Sequence, residues 1–244
     1  MTFLAAAIQL STKSDKAANL EKAEHLIRLA AARGARLISL PEVFNWRGKR
    51  ADEAEAAEAL EGVTLTLMAG LARELEIYVL AGSITEHAPG QAKNYNTSVL
   101  INPAGTYLAV YRKIHLFDVD LPGRVTIKES DAKVAGTEVV SAETAHGIVG
   151  LSVCYDLRFP ELYRRLAFAG ARILTIPSAF TFPTNTVIGS QAGLPALTIP
   201  VGFTEDGLPV GMELLGTPLA ETKMLQFAHA WETFRRPRRR PALS

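Results

Sequence analysis

The sequence predicts an α/β fold, and three observations carry that expectation. Short apolar runs of strand length, rich in Val, Ile and Leu, alternate with longer segments whose apolar residues recur at helical spacing. Turn-forming residues separate several of them, including Gly34, Pro41 and Asn102-Pro103-Ala104-Gly105. The balance of the chain, 48% apolar and 21% charged over 244 residues, suits an ordinary globular protein of one large domain or two small ones. The mixed charge balance, +1 net, fits the same reading.

In chain order, Phe3 to Leu10 reads as an opening strand. Asp15 to Arg33 follows as a helix, with Leu20, Ala23, Ile27 and Ala30 at helical spacing and Gly34 closing it. The next strand, Arg36 to Leu40, ends in Pro41-Glu42 and sets a carboxylate beyond its C-terminal edge, where open α/β sheets build their sites. Taken alone, Glu42 is more simply a solvated loop acid. Ala51 to Leu60 and Thr64 to Leu75 read as helices, then Ile77 to Ser83 and Tyr95 to Ile101 as strands. The 102–105 turn joins the latter to Tyr107–Tyr111 as an antiparallel hairpin, which delivers Lys113 to the far end of the second strand. A surface charge is the simpler reading of a lysine there.

The only cysteine lies in Val149-Gly150-Leu151-Ser152-Val153-Cys154-Tyr155-Asp156-Leu157-Arg158-Phe159-Pro160-Glu161. An apolar strand gives way there to a helix that starts at Pro160, since proline suits a first helical turn. Backbone N–H groups and a helix N-terminus favour a thiolate and can hold an oxyanion, although a lone cysteine also serves as a small buried hydrophobe. One cysteine forms no internal disulfide, so a reducing cytoplasm is the expected location. No apolar run approaches the ~18–20 residues a membrane span needs, and the N-terminus lacks the basic-then-apolar pattern of an export signal.

Glu42, Lys113 and Cys154 thus each follow a strand end, and together they have a shared chemistry. A carboxylate takes the thiol proton, the thiolate attacks a carbonyl or nitrile carbon, and an ammonium stabilises the developing charge.

Residues 1 to about 181 resemble the nitrilase superfamily of carbon–nitrogen hydrolases, in particular its Nit branch of ω-amidase-like and deaminated-glutathione-amidase-like proteins. The matching motifs, in order, are Leu40-Pro41-Glu42, Tyr111-Arg112-Lys113-Ile114-His115-Leu116-Phe117-Asp118, Pro122-Gly123 with Glu129-Ser130, and Val153-Cys154-Tyr155-Asp156-Leu157-Arg158-Phe159-Pro160-Glu161. The resemblance implies a two-sheet αββα sandwich, with Glu42 as general base, Lys113 as electrostatic stabiliser and Cys154 as nucleophile. Glu129 positions substrate and lysine, the Tyr155 N–H helps hold the oxyanion, and Phe180 lies on the loop beside the pocket. It further implies a small linear ω-amide as substrate, thioester chemistry that needs no metal or organic cofactor, and a homodimer. Asp156 and Arg158 beside the nucleophile are read as a local ion pair bracing the loop at least as readily as substrate contacts, His115 as structural, and Arg124 or Lys128 as candidates for a substrate carboxylate.

After Thr181 the pattern changes. Ser190 to Phe203 and Glu205 to Met212 resemble the C-terminal end of the amidase-signature family, an unrelated hydrolase family. The chain therefore reads as a composite, residues 1–181 and 182–244, with the junction near Phe182 to Val187. No Gly-Ser-Ser run supplies that second family's nucleophile, so the segment reads as structural. A hairpin, Ala196–Phe203 with Leu208–Leu215, and a helix over Glu221–Thr233 carrying Met224, Phe227, Ala228 and Trp231 stand in place of the missing nitrilase-like strands. The basic tail, 234–244, reads as a solvated end, with no nucleic-acid partner expected. The competing expectation is a non-catalytic composite whose pocket is not completed.

Overall fold

The computed structural model describes residues 3–121 and 125–179, together with the backbone of residues 196–203 and 209–215. The chain divides into two units, Met1–Thr184 and Asn185–Ser244.

The first unit is built on two sheets. In one, β1 (Leu4–Ala7), β2 (Ala35–Ser39) and β3 (Tyr78–Leu80) run parallel. β5 (Tyr95–Ile101) joins β3 antiparallel; β4 (Ile84–Glu86) pairs with it beyond β3, and β6 (Tyr107–Arg112) closes the hairpin onto it. In the other sheet, β10 (Gly147–Leu151) lies between β9 (Ser141–Thr144), antiparallel to it, and β11 (Ile173–Thr175), parallel to it. A separate ribbon pairs β7 (Asp118–Leu121) with β8 (Val125–Lys128).

Strand alternation sorts the core into layers. Val79, Val99 and Ile101 pack with Ala23 and Ile27 of α1 (Lys16–Ala32) and with Met68 and Leu71 of α3 (Val63–Leu75). Their neighbours Leu80 and Leu100, with Ala109 and Tyr111, pack instead against Val149, Leu151 and Val153 of the second sheet. On that sheet's outer side, α4 (Pro160–Phe168) buries Leu162, Tyr163 and Leu166. A Cβ at Gly150 would lie 3.1 Å from the Leu166 methyls, so a small residue lets α4 sit close. The order is helix, sheet, sheet, helix, the α/β sandwich expected, with each fully buried aliphatic side chain contributing about 1.5–3 kcal/mol. Asp15 caps α1, accepting from the Ala18 N–H at 3.0 Å.

Two segments depart from the sequence expectation. Ala51 to Leu60 is not one helix: a 3-10 turn (Arg50–Asp52) leads into a single turn, α2 (Glu53–Ala56), and Glu58 is drawn into a bridge with Glu86. The Glu58 carboxylate accepts from the Thr64 N–H at 2.9 Å at the start of α3 and pairs with Lys16. That buried role outweighs the helix propensity of the Ala/Glu run. Ile77 to Ser83 is likewise interrupted: the chain turns at Gly82, where φ is positive, and resumes as β4. A Cβ at Gly82 would strike the Pro41 carbonyl and lie 2.6 Å from that of Leu40, so glycine is required where the chain passes beneath Glu42.

The described part of the second unit is an antiparallel ribbon, β12 (Ala196–Phe203) with β13 (Pro209–Leu215), in agreement with the hairpin read from the sequence. The helix expected over 221–233, the junction near 182–187, the basic tail and Phe180 lie outside the described residues. No helix among the described residues is long and apolar enough to cross a membrane.

Candidate active site

Each principal side chain reaches the site from a strand end. Glu42 follows β2, Lys113 follows β6, and Cys154 opens a 3-10 turn (Cys154–Arg158) shortly after β10. The Lys113 N–H donates to the Asn96 carbonyl at 2.8 Å, which fixes where the lysine leaves the sheet. Its ammonium, 1% exposed, donates to Glu42 Oε1 at 3.0 Å and Glu129 Oε2 at 2.9 Å. Asn96 Nδ2 bridges the same two carboxylates, at 2.9 Å from each. Glu129 Oε2 also accepts from the Phe117 N–H at 2.7 Å, and Glu42 Oε2 from the Ala179 N–H at 3.0 Å.

Cys154 has φ of +49°, a left-handed conformation that costs a non-glycine residue about 1–3 kcal/mol. Asp156 holds this turn. Its fully buried carboxylate accepts from the Val153 N–H (2.8 Å), the Tyr111 hydroxyl (2.6 Å), the His115 N–H (3.0 Å) and, at 2.8 Å, lies on His115 Nδ1. The expected Asp156–Arg158 pair is therefore not made; Arg158 is not among the partners of Asp156, because four donors from the motif of Lys113 and from its own turn already occupy the carboxylate. His115 is structural as expected, stacking on Phe159 with centroids 3.6 Å apart. The Cys154 N–H donates to the Pro177 carbonyl at 3.0 Å, whereas the Tyr155 N–H has no acceptor among the described residues. The Tyr155 ring packs edge-on against Phe117 and Phe159.

The electrostatics follow from burial and from the single ammonium. Burial opposes the charge on Glu42, yet the positive charge of Lys113 and the hydrogen bonds from the Cys154 thiol, Lys113 and Asn96 outweigh that and hold the carboxyl below its usual range. Burial likewise opposes the charge on Lys113, but Glu42 and then Glu129 raise its pKa well above an ordinary lysine. Burial, joined by the Glu42 charge, pushes the Cys154 thiol well up against the opposing pull of Lys113. The resting set is a neutral thiol, an ionised carboxylate and a permanent ammonium, facing a cavity of about 260 Å³ that also exposes Asn96, Phe117 and Glu129. Such a set can transfer a thiol proton to Glu42 as sulfur attacks a polarised carbon, with the Lys113 ammonium in the same cavity to stabilise the developing anion.

The structure thus brings together Glu42, Lys113, Glu129 and Cys154. Sequence reasoning missed Asn96 and the role of Asp156. The signal for Asn96 was a carboxamide within a strand otherwise apolar at its far end, since a buried polar side chain requires a partner. Lys128 lines the cavity and Arg124 lies outside the described residues.

Comparison with known proteins identifies the family of the chain. The carbon-nitrogen hydrolase family profile matches residues 4–191, and an amidase family profile matches residues 172–225. The chain is 42% identical over 186 residues to a deaminated glutathione amidase of Synechocystis sp., covering 75% of this chain and 68% of that protein. It is 42% identical over 184 residues to the human omega-amidase NIT2, covering 75% of this chain and 66% of that protein. It spans about two thirds of the length of these relatives. Among solved structures, the C. elegans NitFhit protein superposes with a TM-score of 0.68 at 34% identity, over 75% of this chain and 45% of that one. Saccharomyces cerevisiae Nit3, of the nitrilase superfamily, shares the fold with a TM-score of 0.69 at 24% identity, over 90% of this chain and 92% of that one. The α/β sandwich, the motif order and the family match over most of the sequence lead to one conclusion: the chain belongs to the carbon–nitrogen hydrolase family.

Proposed function

We propose that the protein is a cysteine-dependent amidase of small linear ω-amides, releasing ammonia and a carboxylic acid through a thioester. The observation that carries this reading is the Lys113 ammonium held between Glu42 and Glu129, in one cavity with Cys154. Glu42 accepts the thiol proton as Sγ attacks the amide carbon. The oxygen that gains negative charge is met by Lys113 and the Tyr155 N–H. Glu42 returns the proton to nitrogen, the C–N bond breaks, and ammonia leaves an acyl group on Cys154. Water then gives a proton to Glu42 as it attacks the thioester; the acid departs and the thiol is restored. Glu129 fixes the ammonium, and Phe180 is assigned to the pocket-side loop by resemblance alone. No step requires a metal or an organic cofactor.

The names of the relatives support an amide substrate, with α-ketoglutaramate and deaminated-glutathione-like amides as the leading candidates. The composite organisation, residues 1–181 followed by an amidase-signature-like 182–244, is part of the same proposal, supported by the amidase profile over 172–225. So are a homodimeric assembly and a reducing cytoplasm that keeps the thiol free. The test is ammonia release from α-ketoglutaramate and succinamate by the full chain and by Cys154→Ala. Release by the parent and none by the variant is expected. A folded, monodisperse parent that releases ammonia from no amide refutes the reading and favours a non-catalytic composite.

A further inference from the structure

Among the described residues two lysines are buried: Lys113, which the reaction uses, and Lys133, 4% exposed, which it does not. Lys133 follows the 3-10 turn Glu129–Asp131, and its N–H donates to the Glu129 carbonyl at 2.9 Å. One short turn therefore supplies a residue to the reacting centre and a second ammonium beside it. That ammonium meets Glu53 Oε1 at 2.6 Å and Thr85 Oγ1 at 2.7 Å. Thr85 is the direct cross-strand partner of Asn96, whose amide holds Glu42 and Glu129. Directly opposed side chains in a ladder start about 5 Å apart, so the second ammonium stands one side chain away from the carboxylate pair.

An ammonium carries three donors, and described partners take two of those on Lys133. Burial lowers its pKa more than Glu53, Glu129 and Glu42 raise it. The cavity carries an excess of cations: Arg47, Arg50, Lys113, Lys128 and Lys133 line it against only Glu42, Glu53 and Glu129. Arg50 is paired with Asp131, whereas Arg47 meets no carboxylate among the described residues.

We propose that Lys133 is a specificity-determining residue, receiving the free carboxylate of an ω-amide, a monoamide of a short dicarboxylic acid, whose amide end lies at Cys154. The inference rests on the amidase reading above and adds to it the group that selects an anionic acyl chain. The test compares succinamate with butyramide, which has nearly the same length but no charge, as substrates of the parent, Lys133→Met and Lys133→Arg. The parent is expected to prefer succinamate. Lys133→Met is expected to raise KM for succinamate about 10- to 100-fold, the loss of one charge-assisted hydrogen bond, with kcat and all butyramide constants within about twofold. Lys133→Arg keeps the charge and is expected to retain part of the preference. Glu53→Gln, which removes the competing carboxylate, is expected to lower KM for succinamate and provides the test if Lys133→Met does not fold. Equal losses for both substrates in Lys133→Met, or a raised succinamate KM in Glu53→Gln, would overturn the inference and leave a structural ion pair. A parent that hydrolyses butyramide without preferring succinamate overturns the anion subsite and leaves the amidase reading standing. A parent that hydrolyses neither overturns both.

Discussion

Replacing Asn96 by alanine tests how the buried carboxylate pair is held. The substitution removes two hydrogen bonds of 2.9 Å, to Glu42 and to Glu129, and keeps the backbone bond from the Lys113 N–H. A hydrogen bond to a charged partner contributes about 1.5–3 kcal/mol. Two opposing effects reduce the sum: water can reach the 14% exposed Glu129, and the buried Asn96 Oδ1, which has no partner among the described residues, is removed as well. The expected destabilisation is about 2–4 kcal/mol by urea denaturation at neutral pH. The second readout is pH. The folded-state pKa of Glu42 is depressed, so its contribution to stability is present above the unfolded carboxyl pKa and is lost as pH falls through the folded one. Lys113, the hydrogen bond from the Cys154 thiol and Asn96 all lower that pKa, with Glu129 and Lys133 also facing the same cavity. Asn96→Ala should therefore move both the onset of acid unfolding and the acid limb of kcat/KM to higher pH. A variant within about 0.5 kcal/mol of the parent, with an unmoved acid limb, would refute the reasoning.

Two further predictions concern the strand ends. Gly82→Ala drives a Cβ into the Pro41 carbonyl, one residue before Glu42, and is expected to cost about 2–4 kcal/mol in a thermal or urea melt and to depress turnover even where the variant remains folded. Retention of parental stability would show that this chain crossing is looser than described. Glu42→Gln removes an influence that raises the Cys154 pKa and leaves Lys113 to lower it. That variant should be alkylated by iodoacetamide faster than the parent at neutral pH while losing turnover, and slower alkylation would contradict the charge assignment.

Much of the fold was legible because the apolar runs bounded their own elements: α3, α4, the β5–β6 hairpin and the β12–β13 ribbon lie where periodicity set them. The failures have tertiary causes. Nothing local in the Ala/Glu run foretells that Glu58 leaves the helix to cap α3 with its carboxylate, and Gly82 interrupts a good strand pattern because the Pro41 backbone passes over it. The site divides in the same way. Glu42, Lys113 and Cys154 could be placed beyond strand ends, but only the folded sheets bring them to one cavity. Asp156 was visible beside the cysteine, yet its nearest basic neighbour in sequence, Arg158, is not its partner; Tyr111 and His115, more than forty residues earlier, are. The carboxamide of Asn96 in a strand signals a buried polar group that needs a partner but not which one, and Lys133 carries no local signal of its role, since the partners of both come from distant segments.

The most direct test of the central claim is to quench the full-length protein in acid during turnover of succinamate and determine the mass of the peptide containing Cys154. An acyl group on that cysteine, absent from Cys154→Ala and discharged when turnover is allowed to finish, is the predicted result. Ammonia release that proceeds unchanged in Cys154→Ala, or an acyl group on any other residue, would contradict the account.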